Sequence, residues 1–184
     1  MSDAAATSET DGPVRFMQQV ISLDYVTKAS PVGRSFGRAL RDGRLVGHKC
    51  PQCGLVYVPP RGFCPICVVE TTDANEVEVA DRGVVTSWTV LTPIQYHGQT
   101  EREDYALASI LLDGADGTVG QQRLVDIPLD EIRMGLRVAA VWADESERAD
   151  GGDARGWGFG NAITGFAPTG EPDADRELYE KHTL

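Results

Sequence analysis

Four cysteines, Cys50, Cys53, Cys64 and Cys67, are all the cysteine this chain has, and they form two C-x-x-C pairs with ten residues between them. Each pair lies in knuckle sequence, Cys50-Pro51-Gln52-Cys53-Gly54 and Cys64-Pro65-Ile66-Cys67. A C-x-x-C turn aims two thiolates at one tetrahedral metal, and two such turns close a four-sulfur site. Four protein ligands leave no open position for a catalytic water, so the expected metal, one structural zinc per chain, clips the fold together. Iron in a rubredoxin-type site fits the same sulfur tetrahedron. His48, two residues before Cys50, reads as a strand residue beside the site.

Disulfides are the rival reading of the same residues. Met1 to Pro13 is polar and acidic, without the apolar core of a secretory signal. No apolar run approaches the roughly 18 residues that span a bilayer. A cytoplasmic setting is therefore expected, with no membrane, and there paired cysteines more often hold metal than disulfides. A thioredoxin-like motif would need one C-x-x-C in a βαβ setting.

Elsewhere the chemistry is sparse. The three histidines are His48, His97 and His182, and neither a Gly-x-Ser-x-Gly elbow nor H-E-x-x-H occurs. Gly156-Trp157-Gly158-Phe159-Gly160 alternates glycines but lacks the dinucleotide-binding spacing. His97 or Asp104 contributing to a composite site is the remaining catalytic candidate.

Charge is uneven. The chain carries a formal −11, which argues against nucleic acid as a partner. Yet Lys28, Arg34, Arg38, Arg41, Arg44, Lys49 and Arg61 face only Asp42 between positions 28 and 61, a local +6 against −17 for the remainder. A zinc with four thiolates lowers that patch by about two charges. It reads either as a solvated helix face or as a site for phosphates or an acidic partner.

The elements that must position these residues follow from local pattern. Residues 1–29 read as a disordered acidic tail followed by an apolar arm, Val14 to Lys28, suited to a partner. Ser30-Pro31 is an N-cap and first helical position, Val32, Phe36 and Leu40 share one stripe, and Gly43 stops the helix. Strands Leu45 to Lys49 and Leu55 to Val58 flank the first knuckle, and Pro59-Pro60 ends the second of them. Residues 30–72 thus read as a helix plus a zinc ribbon.

Residues 73–168 turn all-β. Expected strands are Glu76 to Ala80, Gly83 to Thr92, Tyr105 to Asp113, Val119 to Asp126 and Val138 to Ala143, with Gly156 to Phe166 as a possible addition. Asp113 to Gly117 is a hairpin turn, and Pro128 to Met134 looks helical. Five strands with a small helix before the last suit a Greek-key OB barrel, with a plain β-sandwich as the alternative. Residues 169–184 form a tail, with a short helix expected within Glu171 to Leu184. The fold class is mainly β: an N-terminal helix and rubredoxin-like zinc ribbon, then a five-stranded OB-fold barrel.

Several of these segments together resemble one family. Phe36-x-x-x-Leu40-x-x-Gly43-Arg44-Leu45, Cys50-x-x-Cys53-Gly54, Pro59-Pro60-Arg61 and Cys64-Pro65-x-Cys67 are similar to the zinc-ribbon/OB-fold acyl-CoA-associated proteins. Gly83-Val84-Val85, Ser87-Trp88-Thr89, Tyr105-Ala106-Leu107-Ala108, Gly135-Leu136-Arg137-Val138 and Phe166-Ala167-Pro168 extend the likeness from Val32 to Pro168. The resemblance implies an accessory subunit without catalysis of its own. Its partner would be a thiolase-fold protein: a lipid-transfer-protein-type retro-aldolase, hence a carbon–carbon lyase, or a thiolase, an acyltransferase. It implies a two-plus-two heterotetramer, an acyl-CoA substrate whose CoA part both chains hold, and a place in steroid side-chain degradation. CoA phosphates suit guanidinium forks, which makes Arg44 and Arg61 the candidates. The alternatives are a single-stranded nucleic-acid module of ribbon and OB fold, and a rubredoxin-like electron carrier.

Overall fold

The computed structural model describes Ile21, Leu23, Lys28 and residues 30–93, 100–148 and 159–183. The expected disordered tail, most of the arm, His97, Gly156 to Gly158 and Leu184 lie outside the described residues.

Helix α1 spans Pro31–Arg41, and the Ser30 hydroxyl accepts from the Gly33 N–H at 3.0 Å. That bond satisfies one of the orphan donors of the first turn, and Pro31 loses nothing there because its missing N–H would have had no partner. Gly43, at φ +72°, takes the left-handed position that lets the chain leave the helix. Phe36, Ala39 and Leu40 form the buried face, while Val32 is only half-buried.

The ribbon contributes strands β1 (Val46–Lys49) and β2 (Val56–Tyr57). A third strand, β3 (Glu76–Glu78), pairs antiparallel with β1, giving the order β2-β1-β3. This corrects the sequence expectation, which placed Glu76 to Ala80 among the barrel strands. Too short and too polar to pack in a barrel wall, β3 finds its partner in the open edge of β1 instead.

The barrel comprises β4 (Arg82–Leu91), β5 (Tyr105–Leu112), β6 (Thr118–Arg123), β7 (Arg137–Trp142) and β8 (Ile163–Pro168), ordered β6-β5-β4-β7-β8. The possible strand after Gly156 thus becomes the fifth barrel strand, beginning at Ile163. A parallel bridge between Leu124 and Phe166 joins the two outer strands, and the Val125 N–H donates to the Phe166 carbonyl at 2.9 Å. Closure of this kind removes most of the exposed edge of an all-β sheet. The helical-looking stretch after Pro128 reduces to a single 3₁₀ turn, Leu129–Glu131, between β6 and β7. It stops there because Ile132, 5% exposed, turns inward on extended backbone.

One core runs through both parts. Phe36 of α1 lies 6.3 Å from Phe159, centroid to centroid, and Phe159 lies 6.3 Å from Phe166 of β8. Tilted rings at this spacing pack favourably beyond their buried area. The helix is therefore joined through Phe159 to the barrel core, and the ribbon follows it directly in the chain. The tail is tied back to the β6–β7 connection: Arg133 forks onto Asp173 at 2.6 and 2.7 Å, and the Ala174 N–H donates to the Gly135 carbonyl. A short helix, α2 (Arg176–Tyr179), follows within the segment where one was expected.

Candidate metal centre and the grooves beside it

The two knuckles are built alike. In the first, the Cys50 sulfur accepts the N–H groups of Gln52 and Cys53, both at 3.4 Å, and the Gly54 N–H donates to the Cys50 carbonyl. In the second, the Cys64 sulfur accepts the Cys67 N–H at 3.4 Å, and the Val68 N–H donates to the Cys64 carbonyl. The chain must then leave each turn in the left-handed region, at Gly54 (φ +78°) and at Val68 (φ +57°).

All four sulfurs lie within 4.8 Å of one another, and Cys53 and Cys64 are 3.7 Å apart. A tetrahedron with metal–sulfur bonds of about 2.3 Å has edges of about 3.8 Å, so this spacing fits zinc. The chemistry of the donor set agrees. The backbone N–H of Cys53, followed by that of Gln52, holds the Cys50 thiol down to about 6. The hydrogen bond with Cys53, then burial, pushes Cys67 up to about 12. Cys53 is also raised: the Leu55 N–H pulls it down, but burial and the Cys50 thiolate together outweigh that pull. Without a cation these sulfurs compete for one negative charge; a divalent metal is what lets all four ionise.

His48 is buried in β1, its Nδ1 sharing a hydrogen bond with the Thr71 hydroxyl at 3.1 Å; it lines a small cavity with Cys50 and Cys64 but is not part of the four-sulfur cluster. Burial lowers its pKa, against the pull of Asp73 and Glu76. It is the strand residue expected. Asp104 is exposed at the start of the β5 hairpin arm.

The two candidate arginines are in different situations. Arg44 forms an ion pair with Glu76 at 2.9 Å, bracing the helix exit against β3. Arg61 is exposed and has no hydrogen bond or ion pair with another described residue. It edges a groove of about 440 Å³ formed by Val58, Pro59, Pro60 and residues 118–121 of β6. A second, more apolar groove of about 610 Å³ crosses β4 and β5 between Trp88, Leu91, Leu107 and Met134. Both grooves share Gln121, whose φ of +58° marks the irregular pairing of β5 and β6.

The apolar groove was not read from the sequence, and neither was a cluster on the second knuckle: Phe63, Ile66 and Val68, exposed by 50, 68 and 79%. A signal for the cluster was present. With an offset of fourteen, these residues align with Lys49, Gln52 and Gly54 of the first knuckle, so polar and apolar versions of one turn stand side by side.

Comparison with known proteins places this architecture. The family model described as ChsH2, rubredoxin-like zinc ribbon domain, matches residues 38–70, and that of the ChsH2 C-terminal OB-fold domain matches residues 76–143. The chain is 28% identical over 134 residues to a DUF35 domain-containing scaffold protein of Methanocaldococcus jannaschii, covering 72% of this chain and 91% of that one. A DUF35 domain-containing scaffold protein of Methanothermobacter thermautotrophicus is 29% identical over 109 residues, covering 59% and 78%. Among solved structures, a chain of the Ltp2-ChsH2(DUF35) aldolase superposes with a TM-score of 0.54 at 21% identity, over 78% of this chain and 98% of that one. That likeness is one of fold.

Proposed function

Since this chain belongs to the ChsH2-type family, a rubredoxin-like zinc ribbon followed by a C-terminal OB fold, we propose that it is a non-catalytic accessory subunit of a thiolase-fold enzyme. The enzyme would be a retro-aldolase or a thiolase acting on an acyl-CoA, in the cytoplasm, as a two-plus-two complex. Carbon–carbon bond chemistry next to the thioester belongs to the partner. This chain stabilises the partner and holds the CoA part of the substrate. The observation that carries the reading is the match along nine-tenths of a scaffold protein. The role of the four cysteines agrees with it, since a closed sulfur site keeps a shape and offers no position for a substrate.

The site supports the CoA part of the reading through Arg61. An exposed guanidinium at the edge of a groove is a phosphate receptor, and no carboxylate among the described residues pairs with this one. From it the two grooves joined at Gln121 lead toward the apolar wall of Trp88, Leu91 and Met134. A nucleotide phosphate at one end and a pantetheine and acyl chain along the rest have matching chemistry. A steroid acyl group is the substrate the family resemblance suggests.

The test is co-expression with a thiolase-fold aldolase or thiolase from the same organism. The expected result is a stable complex whose acyl-CoA activity falls when this chain is omitted. Arg61→Ala in that complex should raise KM for the acyl-CoA about tenfold with little change in kcat, the signature of a lost ground-state contact. Absence of a complex, together with unchanged activity of the partner alone, would refute the reading.

A further inference from the structure

The second zinc knuckle presents three apolar side chains where the first presents none. Phe63, Ile66 and Val68 are exposed by 50, 68 and 79%, whereas their counterparts fourteen residues earlier are Lys49, Gln52 and Gly54. The knuckles share their hydrogen-bond pattern, so the first is an internal control for what the turn itself requires. It requires no apolar residue at any of the three places. At the last it favours glycine: Val68 holds φ +57°, a left-handed conformation that is a genuine outlier for a β-branched residue, where Gly54 holds +78° without cost. Val68 is thus unfavourable twice, by conformation and by exposure, and its side chain gains little burial from the described residues. Such a residue points to a contact made outside the chain.

We infer that the tip of the second knuckle is the apolar anchor by which this chain docks onto the catalytic partner, in an apolar pocket of that partner rimmed by carboxylates. This rests on the accessory-subunit reading above. Charge selects the occupant. Residues 28–75 hold seven basic side chains against Asp42, Glu70 and Asp73, a formal +4 that a zinc with four thiolates lowers by about two, on a chain whose formal total is −11. Arg61 stands two residues before Phe63, and the first turn of α1 borders the knuckle, with Val32 3.7 Å from where a Cβ on Gly62 would lie. A two-fold contact between copies would set these cationic ends against each other. Docking on the acidic barrel of another copy would be head-to-tail and leave an open chain. Three side chains also fall well short of the roughly 800 Å² per side of a stable interface. They are the centre of a larger contact, and Arg61 makes that contact continuous with the phosphate-ready groove.

The experiment grafts the first knuckle onto the second: Phe63→Lys, Ile66→Gln and Val68→Gly in the full chain, loaded with zinc. The graft removes strain, so the variant should bind one zinc and melt no lower than the parent. Its affinity for the co-expressed thiolase-fold subunit should fall about 100-fold. Gln52→Ile in the first knuckle should leave affinity unchanged. If the parent binds and the graft binds equally well, this inference alone is overturned; if the parent does not bind, the accessory-subunit reading falls with it. A parent that sediments as a dimer and a graft that sediments as a monomer would assign the tip to a second copy. Deuterium exchange in residues 14–28 that rises in the isolated graft would assign it to the chain's own arm. Either result overturns the proposal.

Discussion

Val56 and Asp116 bond to each other twice across the junction of ribbon and barrel. The Asp116 N–H donates to the Val56 carbonyl at 2.8 Å, and the Val56 N–H donates to Asp116 Oδ2 at 2.8 Å. The tip of the β5–β6 hairpin thus extends the ribbon sheet past β2. Tyr57 lies over the same hairpin, close to where a Cβ on Gly117 would be. The metal clip and the barrel are therefore one mechanical unit.

Asp116→Ala tests that coupling. It leaves the nearly buried Val56 N–H without an acceptor, which should cost about 1–2 kcal/mol. For a chain of this size, that lowers the melting temperature by roughly 3–6 °C. Asp116→Asn, which keeps a carbonyl oxygen at the same place, should recover most of the loss. A melt indifferent to both changes would mean that the two parts unfold separately.

Zinc affinity should depend on pH in a stated direction. Cys53 and Cys67 are raised above the ordinary thiol, so both carry protons in the metal-free protein near neutrality, and zinc must expel them. Cys50, held down to about 6, is already ionised there. Binding should thus release at least two protons per zinc above about pH 6. Below that, Cys50 becomes protonated and one more proton must leave, so affinity falls more steeply as pH drops. Chelator competition across this range, with calorimetry in buffers of different ionisation enthalpy, reads both the slope and the proton count. A flat profile would contradict the assignment.

Val68→Gly alone should stabilise the zinc-loaded chain. A left-handed β-branched residue costs about 1–3 kcal/mol, glycine adds up to about 1 kcal/mol of unfolded-state entropy, and a side chain 79% exposed gives up little burial. The net gain should be about 1 kcal/mol, read as a higher denaturation midpoint. Gly54→Val makes the mirror change in the first knuckle and should lose a similar amount.

How legible this molecule was in its sequence follows from the range of each interaction. The helix was readable because its signals are local: Ser30 caps it, Pro31 starts it and Gly43 ends it within one short stretch. The sulfur cluster was readable because a fixed spacing dictates geometry. Sheet membership was not, since Glu76–Glu78 pairs with Val46 to His48, thirty residues back, and no local pattern states a partner. Barrel closure by Phe166 against Leu124 is hidden for the same reason. The pairing of Arg44 with Glu76 depends on that same sheet, so a cation that looked available in sequence is engaged in the fold. Arg61, unpaired among the described residues, differs only in where the chain happens to run.

Gly83 illustrates how a tertiary cause can lie behind a short motif. It sits in β4 opposite Leu112, and a Cβ there would lie 2.2 Å from the Leu111 carbonyl oxygen and 2.8 Å from both the Leu111 carbonyl carbon and the Leu112 Cα. All three are backbone atoms, so no side chain can swing aside; the two longest strands of the barrel must part. Gly83→Ala should therefore cost about 3 kcal/mol, the upper end for overpacking, and weaken the core at Val84 and Val85, both fully buried. Gly120 in β6 provides the contrast, since a Cβ there meets nothing nearer than the Ser109 hydroxyl at 3.9 Å. Gly120→Ala removes unfolded-state entropy without a clash and should be neutral or stabilising by up to about 1 kcal/mol. Equilibrium denaturation of the two variants side by side decides it: similar midpoints would show that β4 and β5 are less closely apposed than the 2.2 Å approach requires.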